Sequence, residues 1–535
     1  MSNQRLTFAS WLCALQVLCA AAVGCGEQDA AARQQTTLLT SPVALRDRLV
    51  FVDTTGHRAF LFDAAPKEPE ARAQQIDLPY GPTSAERRNG TGKDKIEALV
   101  LCAGRRSSAS EEAEHAALAA VERDGTVRKY DLGATPFDEL VQSDDGRYAV
   151  LFRSDKSDDR LLNNANELAI VDLDAKPSSD AAVTHKTPPS FGHTPSGAVF
   201  SPTMRVAGVD RRLLIVLSAA EVTIIDLDHA ADRRETIVQL GGATNQSVNP
   251  VQVLFGQDEA TLYIRGTGSD DIYVFHLEAH ENPGGNDFRP FINQLSGGLD
   301  PADMALVGSG DARRLLVVAQ ASNQALIVDP SSAKSTAITL PIAPSHVQLF
   351  EAASPKDAEA RTRALIYGDN DDAITFLDLD DIEAKKARNL EVLQLTSTIS
   401  STIPLLDEGK MVLMQGAMGV SVLDLAQRTV APISSNHELK DALFDPKHER
   451  LWVGPSSQPW IDTLDLQDGA GATHDVLLDS NVQQLVPLWD IDKVVVLHDS
   501  RVGYLTLIDA RDPSRDTAKS VRGFLIAGAL DRGAP

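Results

Sequence analysis

Eight aspartates recur along the chain, each closing a short apolar run: Asp63 (AFLFD), Asp172 (LAIVD), Asp226 (VTIID), Asp329 (ALIVD), Asp378 (ITFLD), Asp424 (VSVLD), Asp465 (IDTLD) and Asp509 (LTLID). Carboxylates serve as general acids, nucleophiles and cation ligands, so a set of this kind invites a catalytic reading. Repetition argues the reverse. A residue needed once per unit is scaffold, most simply accepting hydrogen bonds from backbone N–H groups of the turn that follows. The run Asp369-Asn370-Asp371-Asp372 is a different case. Asp369, Asp371 and Asp372 are the best candidates for a cation site, because hard cations take carboxylate and carbonyl oxygens. The run lacks the Asp-x-Asp-x-Asp-Gly spacing that folds a loop round calcium, and Asp and Asn favour a solvated hairpin turn on their own account.

Other chemistry is thinly represented. His57, His193, His346, His437 and His498 lie in or near turns, none in an H-x-x-x-H pair or beside a cysteine, so no zinc pattern exists. No Gly-x-Ser-x-Gly elbow and no P-loop appears. No catalytic residue and no cofactor is assigned, and the cofactor, if one is used, is unknown. Cys102 sits inside the apolar run ALVLC and reads as a small buried hydrophobe. A formal charge of −25 with pI near 4.8 repels phosphate backbones and speaks against a nucleic-acid partner.

The aspartates point to the elements that must hold them. With ALAAVE (Glu122) and IYVFH (His276) added, ten apolar runs stand in series from Asp63 to Asp509, at a mean spacing of about 50 residues. Within a unit, VQVLF, TLYIR, IYVFHL and PFINQL (residues 251–295) read as four strands parted by polar turns. The runs are continuously apolar, as strands covered on both faces require. Asp144-Asp145-Gly146-Arg147 places Asp-Gly where a tight hairpin needs positive φ. Helical periodicity is nearly absent, and only Ser354–Arg361 and Asp381–Arg388 have helical potential. Gly81–Lys95, Arg105–Glu114, Lys156–Asn166 and Lys176–Pro195 read as irregular. The expected fold is an all-β β-propeller of four-stranded blades, with about ten repeat units. One ring, two rings, or a ring with flanking strands all remain open, since four to eight blades is usual.

The phrases LLVVAQASNQALIVDPSSAKSTAITLP (315–341), GVSVLDLAQRTVAPI and EVTIIDLDHAADRRETIVQL resemble the YVTN-type repeat, and SDDGRY is similar to the first turn of WD-type propellers. The resemblance covers most of residues 40–527 and implies fold, not activity. By analogy with that family, ligands sit where second-to-third-strand loops and blade connectors share a face: Ser269–Asp271, Asp369–Asp372, His193–Ser196, Gly241–Pro250, Pro341–His346 and Ser434–Glu438.

The N-terminus carries a cellular address. Arg5 precedes an apolar stretch from Leu6 to Val23, the pattern of a secretory signal. A stretch of that length could also span a bilayer. Ala22-Val23-Gly24-Cys25 resembles the bacterial lipobox, with Ala22 where Leu is usual. That resemblance implies cleavage after Gly24 and lipidation of Cys25, with a simple cleaved export signal as the alternative. Residues 1–24 are then the signal peptide, 25–37 the lipidated cysteine and a tether, and 38–530 the propeller. Gly26, where enteric inner-membrane proteins carry Asp, favours the outer membrane. The expected function is an exported, lipid-anchored, non-catalytic binding or scaffold platform in the bacterial envelope. Its expected partners are the membrane, through the anchor, and an envelope protein or polymer. The alternative is a propeller enzyme, a lactonase-like or other small-molecule hydrolase or a redox protein, with its site at the channel mouth.

Overall fold

The computed structural model describes residues 38–525 apart from 67–72, 91–95, 106–111, 155–164, 189–193, 233–234, 242–247, 257–259, 282–286, 355–356, 380–389, 407–408, 417–418, 435–438, 456, 467–472 and 501. Ten four-stranded antiparallel sheets fill this span, each made from one contiguous stretch. In order, blades 1–10 run Val43–Asp77, Pro82–Asp131, Glu139–Lys186, Pro195–Gln239, Asn249–Ser296, Pro301–Thr339, His346–Gln394, Ile399–Ser434, Leu439–Leu477 and Val482–Arg522. Strands are hydrogen-bonded in chain order within every blade, and blade 4 adds a small hairpin, Met204–Val206 with Val209–Arg211, between its first and second strands.

The ten apolar runs of the sequence are the ten third strands. Ala117–Glu122, the least regular of them on paper, is the third strand of blade 2, and Asp271–Ala279 carries His276 in blade 5. The stretch 315–341 becomes three strands of blade 6, Arg314–Ala319, Gln324–Val328 and Ser335–Thr339. Its Asn323, in the turn between the second and third strands, takes the left-handed conformation at φ 51°. Gly146 sits at φ +67°, and a Cβ there would lie 1.9 Å from the Asn89 carbonyl oxygen, so the turn of blade 3 can press against blade 2 only with glycine.

Two expectations fail. Ser354–Arg361 is not helical, because it belongs to the hairpin of His346–Ser354 with Asp357–Tyr367, where cross-strand pairing overrides local propensity. Gly81–Lys95 is not wholly irregular, since Pro82–Arg87 is the first strand of blade 2. Lys176–Pro195 likewise contains the strand Val183–Lys186. Asp381–Arg388 and residues 1–37 lie outside the described residues.

Ten apolar clusters lie in the seams, and each joins one blade to the next. Cluster members from blades 1 and 2 meet around Val52, Leu61 and Val100, for example, and those of blades 8 and 9 around Val412 and Leu451. The tenth cluster joins blade 10 back to blade 1, so the ten blades form one closed ring. First strands of successive blades touch, which puts them at the axis. They are half-exposed there, as in Ile399–Leu405, while second and third strands are buried and the fourth lie outermost in solvent.

Closure uses no exchanged strand, because blade 1 and blade 10 are each complete from their own residues. After the last strand the chain crosses the seam, and the Phe524 ring packs 5.0 Å from Phe51 and 5.3 Å from Phe62. Leu49, Phe60, Val486, Leu505 and Leu525 complete the cluster.

The repeating aspartates have a common task. Asp63, Asp172, Asp226, Asp329 and Asp509 each accept an N–H bond from the residue two places on, and Asp424 from the residue three on. Many also face a cation on the second strand. Arg48 stands opposite Asp63, Arg363 opposite Asp378, Lys410 opposite Asp424, Arg450 opposite Asp465 and Lys493 opposite Asp509. In blade 4 the Arg211–Asp226 pair is fully buried.

Two outcomes follow. Asp226→Ala takes one of two carboxylate partners from the buried Arg211 guanidinium, leaving Asp287, and should cost about 1.5–3 kcal/mol in urea unfolding; an unchanged midpoint would refute the scaffold role. Phe524→Ala should cost about 3–5 kcal/mol by emptying the closing seam. Phe291→Ala, at an exposed position on blade 5, should stay within about 0.5 kcal/mol. Equal effects of the two phenylalanine changes would remove Phe524 from ring closure.

Candidate functional site

The alternation of strand direction sorts the loops onto two faces. Turns between second and third strands share one face with the blade-to-blade connectors, here the connector face. Ser269–Asp271, Asp369–Asp372 and Pro341–His346 all lie on it, between or beside the strands that end at Thr267, Tyr367 and Thr339. Of the other loops expected there, His193, residues 242–247 and 435–438 lie outside the described residues, as does His437.

Hydrogen bonds tie these turns to the connectors. Asp270 Oδ1 accepts from the Asp300 N–H and the Asp270 carbonyl from Gly297 N–H. In blade 7 the Asp371 carbonyl accepts from Ile399 N–H, the Asp372 carbonyl from Leu395 N–H, and the Asp369 N–H donates to Ser345 Oγ. Asp369 Oδ1 lies 2.9 Å from His346 Nε2. Much of the polar capacity of this run is therefore spent on holding two connectors. Among the described residues no group of three or more His, Cys, Asp and Glu is placed to hold a metal ion.

A second polar arrangement rings the axis. Seven first strands carry a bulge near their start, and the residue after it is Ser84, Gly197, Gln252, Asp303, Ser401, Asp441 or Gln484. At three seams that side chain reaches the next blade. Gln252 donates to Asp303 Oδ1 (2.7 Å) and to the Met304 carbonyl. Asp303 accepts from Val347 N–H at 2.9 Å, and Asp441 from Leu485 N–H at 3.0 Å. A side chain thus satisfies a first-strand donor where no further strand can pair. Arg265 donates to Gln252 and to the Pro301 carbonyl, and burial lowers its pKa against the pull of Asp303 and Asp300. These residues carry no motif in the sequence. They are legible only once units are aligned on first strands, where the residue after the bulge is polar in six of the seven.

Three of the histidines noted in the sequence stack on tyrosines. The ring centroids are 3.8 Å apart for His57–Tyr80, 5.0 Å for His346–Tyr367 and 4.3 Å for His498–Tyr504. His498 donates from Nδ1 to the Asn481 carbonyl and accepts at Nε2 from Thr506, and burial lowers its pKa. Cys102 is fully buried and its thiol is pushed up to about 12 by that burial, so it is inert as a nucleophile. Hydrogen bonds from Ser331 and Ser332 hold Asp329 down at about 2. In blade 9, Asp462 and Asp475 stand directly opposite on the third and fourth strands. Burial and the Asp475 carboxyl push Asp462 up to about 7.

A cleft of about 260 Å³ opens at the seam of blades 10 and 1, walled by Leu39, Pro42, Gln484, Leu497, Asp499 and Tyr504 among others. Another, of about 500 Å³, lies on the axial side beside Val43, Arg87, Pro487 and Trp489.

No model of a known protein family matches this chain, and no curated protein matches it. Among solved structures it is similar to a dihydro-heme d1 dehydrogenase, NirN, in complex with DHE, at 11% identity and a TM-score of 0.41 over 74% of this chain and 78% of that one. It is also similar to a eukaryotic initiation factor, at 13% identity and a TM-score of 0.44 over 78% and 96%. Neither likeness carries an argument about ligand or activity.

The blade 9 carboxylates generate a pH dependence with a definite sign. Asp462 loses its proton near 3.8 when unfolded and near 7 when folded, so its contribution is full below 3.8 and is lost as pH rises through about 7. Asp462→Asn should flatten the fall in melting temperature between about pH 5 and pH 8 and raise it at the upper end. Parallel profiles for the two proteins would show the pair to be without effect.

Proposed function

We propose that the protein is an exported, lipid-anchored and non-catalytic ring that presents a binding surface in the bacterial envelope, toward the outer membrane. The observation that carries this reading is the independence of the ring from its leader. All ten blades have their four strands within residues 43–522. Acylation of Cys25 and removal of residues 1–24 would therefore leave the fold intact.

The point of attachment supports the same reading. Leu38 accepts from Thr54 N–H in the second-to-third-strand turn of blade 1, so the chain enters at the rim of the connector face. Residues 26–37 reach at most about 45 Å when extended. A ring held that way would be tethered from its connector face. Several acyl chains, each buried methylene worth about 0.8 kcal/mol, would hold such a body in place. Ten rigid blades with differing loops suit a platform for a protein or polymer partner. The acidic surface opposes nucleic acid.

Fractionation tests the anchor. Wild type should sediment with membranes and incorporate labelled fatty acid, and Cys25→Ala should lose both. Retention of the variant in the membrane fraction would overturn the lipobox reading.

A further inference from the structure

We propose that the cleft between blades 10 and 1 is a binding site for an uncharged, hydroxyl-rich ring of pyranose size. The argument starts from what this seam lacks. Gln484 follows the bulge of its first strand, as Gln252, Asp303 and Asp441 do in theirs. Those three reach across to the next blade. Across the closing seam the corresponding strand of blade 1 is interrupted at Ser41-Pro42, with only Val43–Ala44 regular beyond it, and proline has no N–H to offer. The side chain of Gln484 has no hydrogen-bond partner among the described residues, and neither does the carboxylate of Asp499.

The cleft has the two-sidedness that a sugar ring has. Leu39, Pro42 and Leu497 form an apolar wall, backed by Phe51, Phe524 and Tyr504. Gln484, Asp499, Ser41 and Ser500 supply amide, carboxylate and hydroxyl groups. An amide and two hydroxyls both donate and accept, which matches vicinal hydroxyls, and the carboxylate adds a strong acceptor. No Lys or Arg is among the described residues lining the cleft, and Arg522 is engaged with the ring and hydroxyl of Tyr504, so Asp499 would oppose a phosphate or carboxylate ligand. The volume, about 260 Å³, is just below the ~300 Å³ at which drug-sized pockets begin, and suits one ring and not a chain of them. A ligand joining Gln484 to Ser41 would also replace the missing cross-seam bond and stabilise the ring.

The site deepens the platform reading, since an envelope polymer is a source of such rings, and it rests on that reading only for the ligand's origin. The test uses the full chain in a detergent without a sugar headgroup. Glucose, galactose and N-acetylglucosamine are each offered up to about 50 mM, well above a millimolar Kd. At least one should give saturation-transfer signals and raise the melting temperature. Gln484→Ala and Asp499→Ala, both outside the apolar clusters, should melt as wild type without sugar and bind about tenfold more weakly. Absence of signal from all three sugars, or undiminished binding by both variants, overturns the assignment. Membrane fractionation of Cys25→Ala is read separately, so loss of the sugar site and loss of the anchor are distinguishable.

Discussion

A four-stranded blade cannot bury either of its faces alone. Second and third strands such as Arg314–Ala319 and Gln324–Val328 are buried on both sides, so a blade is stable only as the filling between two neighbours. That constraint forces closure, since an open array would leave two apolar faces in water. It also fits the composition. Ten blades turn about 36° from one to the next, where six would turn about 60°, so a seam widens less toward the rim. Small side chains fill such a seam, and Ala98, Ala117, Ala119, Ala149 and Ala169 stand in the seams of blades 1–3 in a chain with 5% aromatics.

The inner edge is the second constraint. First strands crowd together at the axis, too short of space for another strand and yet half-exposed. Carboxylates and amides after a bulge meet part of that need, from Gln252 through Asp303 to Val347. The connector face meets the rest by bonding turns to connectors, through backbone groups of Asp369, Asp371 and Asp372 and the Asp369 carboxylate. The repeating aspartates that look available for chemistry in the sequence are largely committed to their own turns.

The repeat was legible because its strongest signal, four apolar residues before an aspartate, is a local consequence of third-strand burial and turn geometry. Glu122 and His276 fell into register with the rest for that reason, although neither is an aspartate. Whether ten units make one ring was not legible, since closure depends on Phe51, Phe62 and Phe524, which lie hundreds of residues apart. Ser354–Arg361 misled because the hairpin of blade 7's first two strands gains its stability from pairing and not from periodicity. The seam cleft was invisible for a similar reason. Gln484 and Ser41 come from opposite ends of the chain and acquire meaning only when the other seams are compared with theirs.

Blades 1 and 10 are each whole, and the described chain enters and leaves at the same seam. Topologically the ring therefore has no privileged first blade. Its connectors are ten interchangeable places at which the polypeptide could start, and joining residue 38 to residue 525 through a short linker would turn the order of blades into a cyclic one. A circular permutant opened at another connector would carry the N-terminal segment to a different sector of the ring while leaving every seam in place. Where that segment meets the ring is thus a variable that this architecture leaves free.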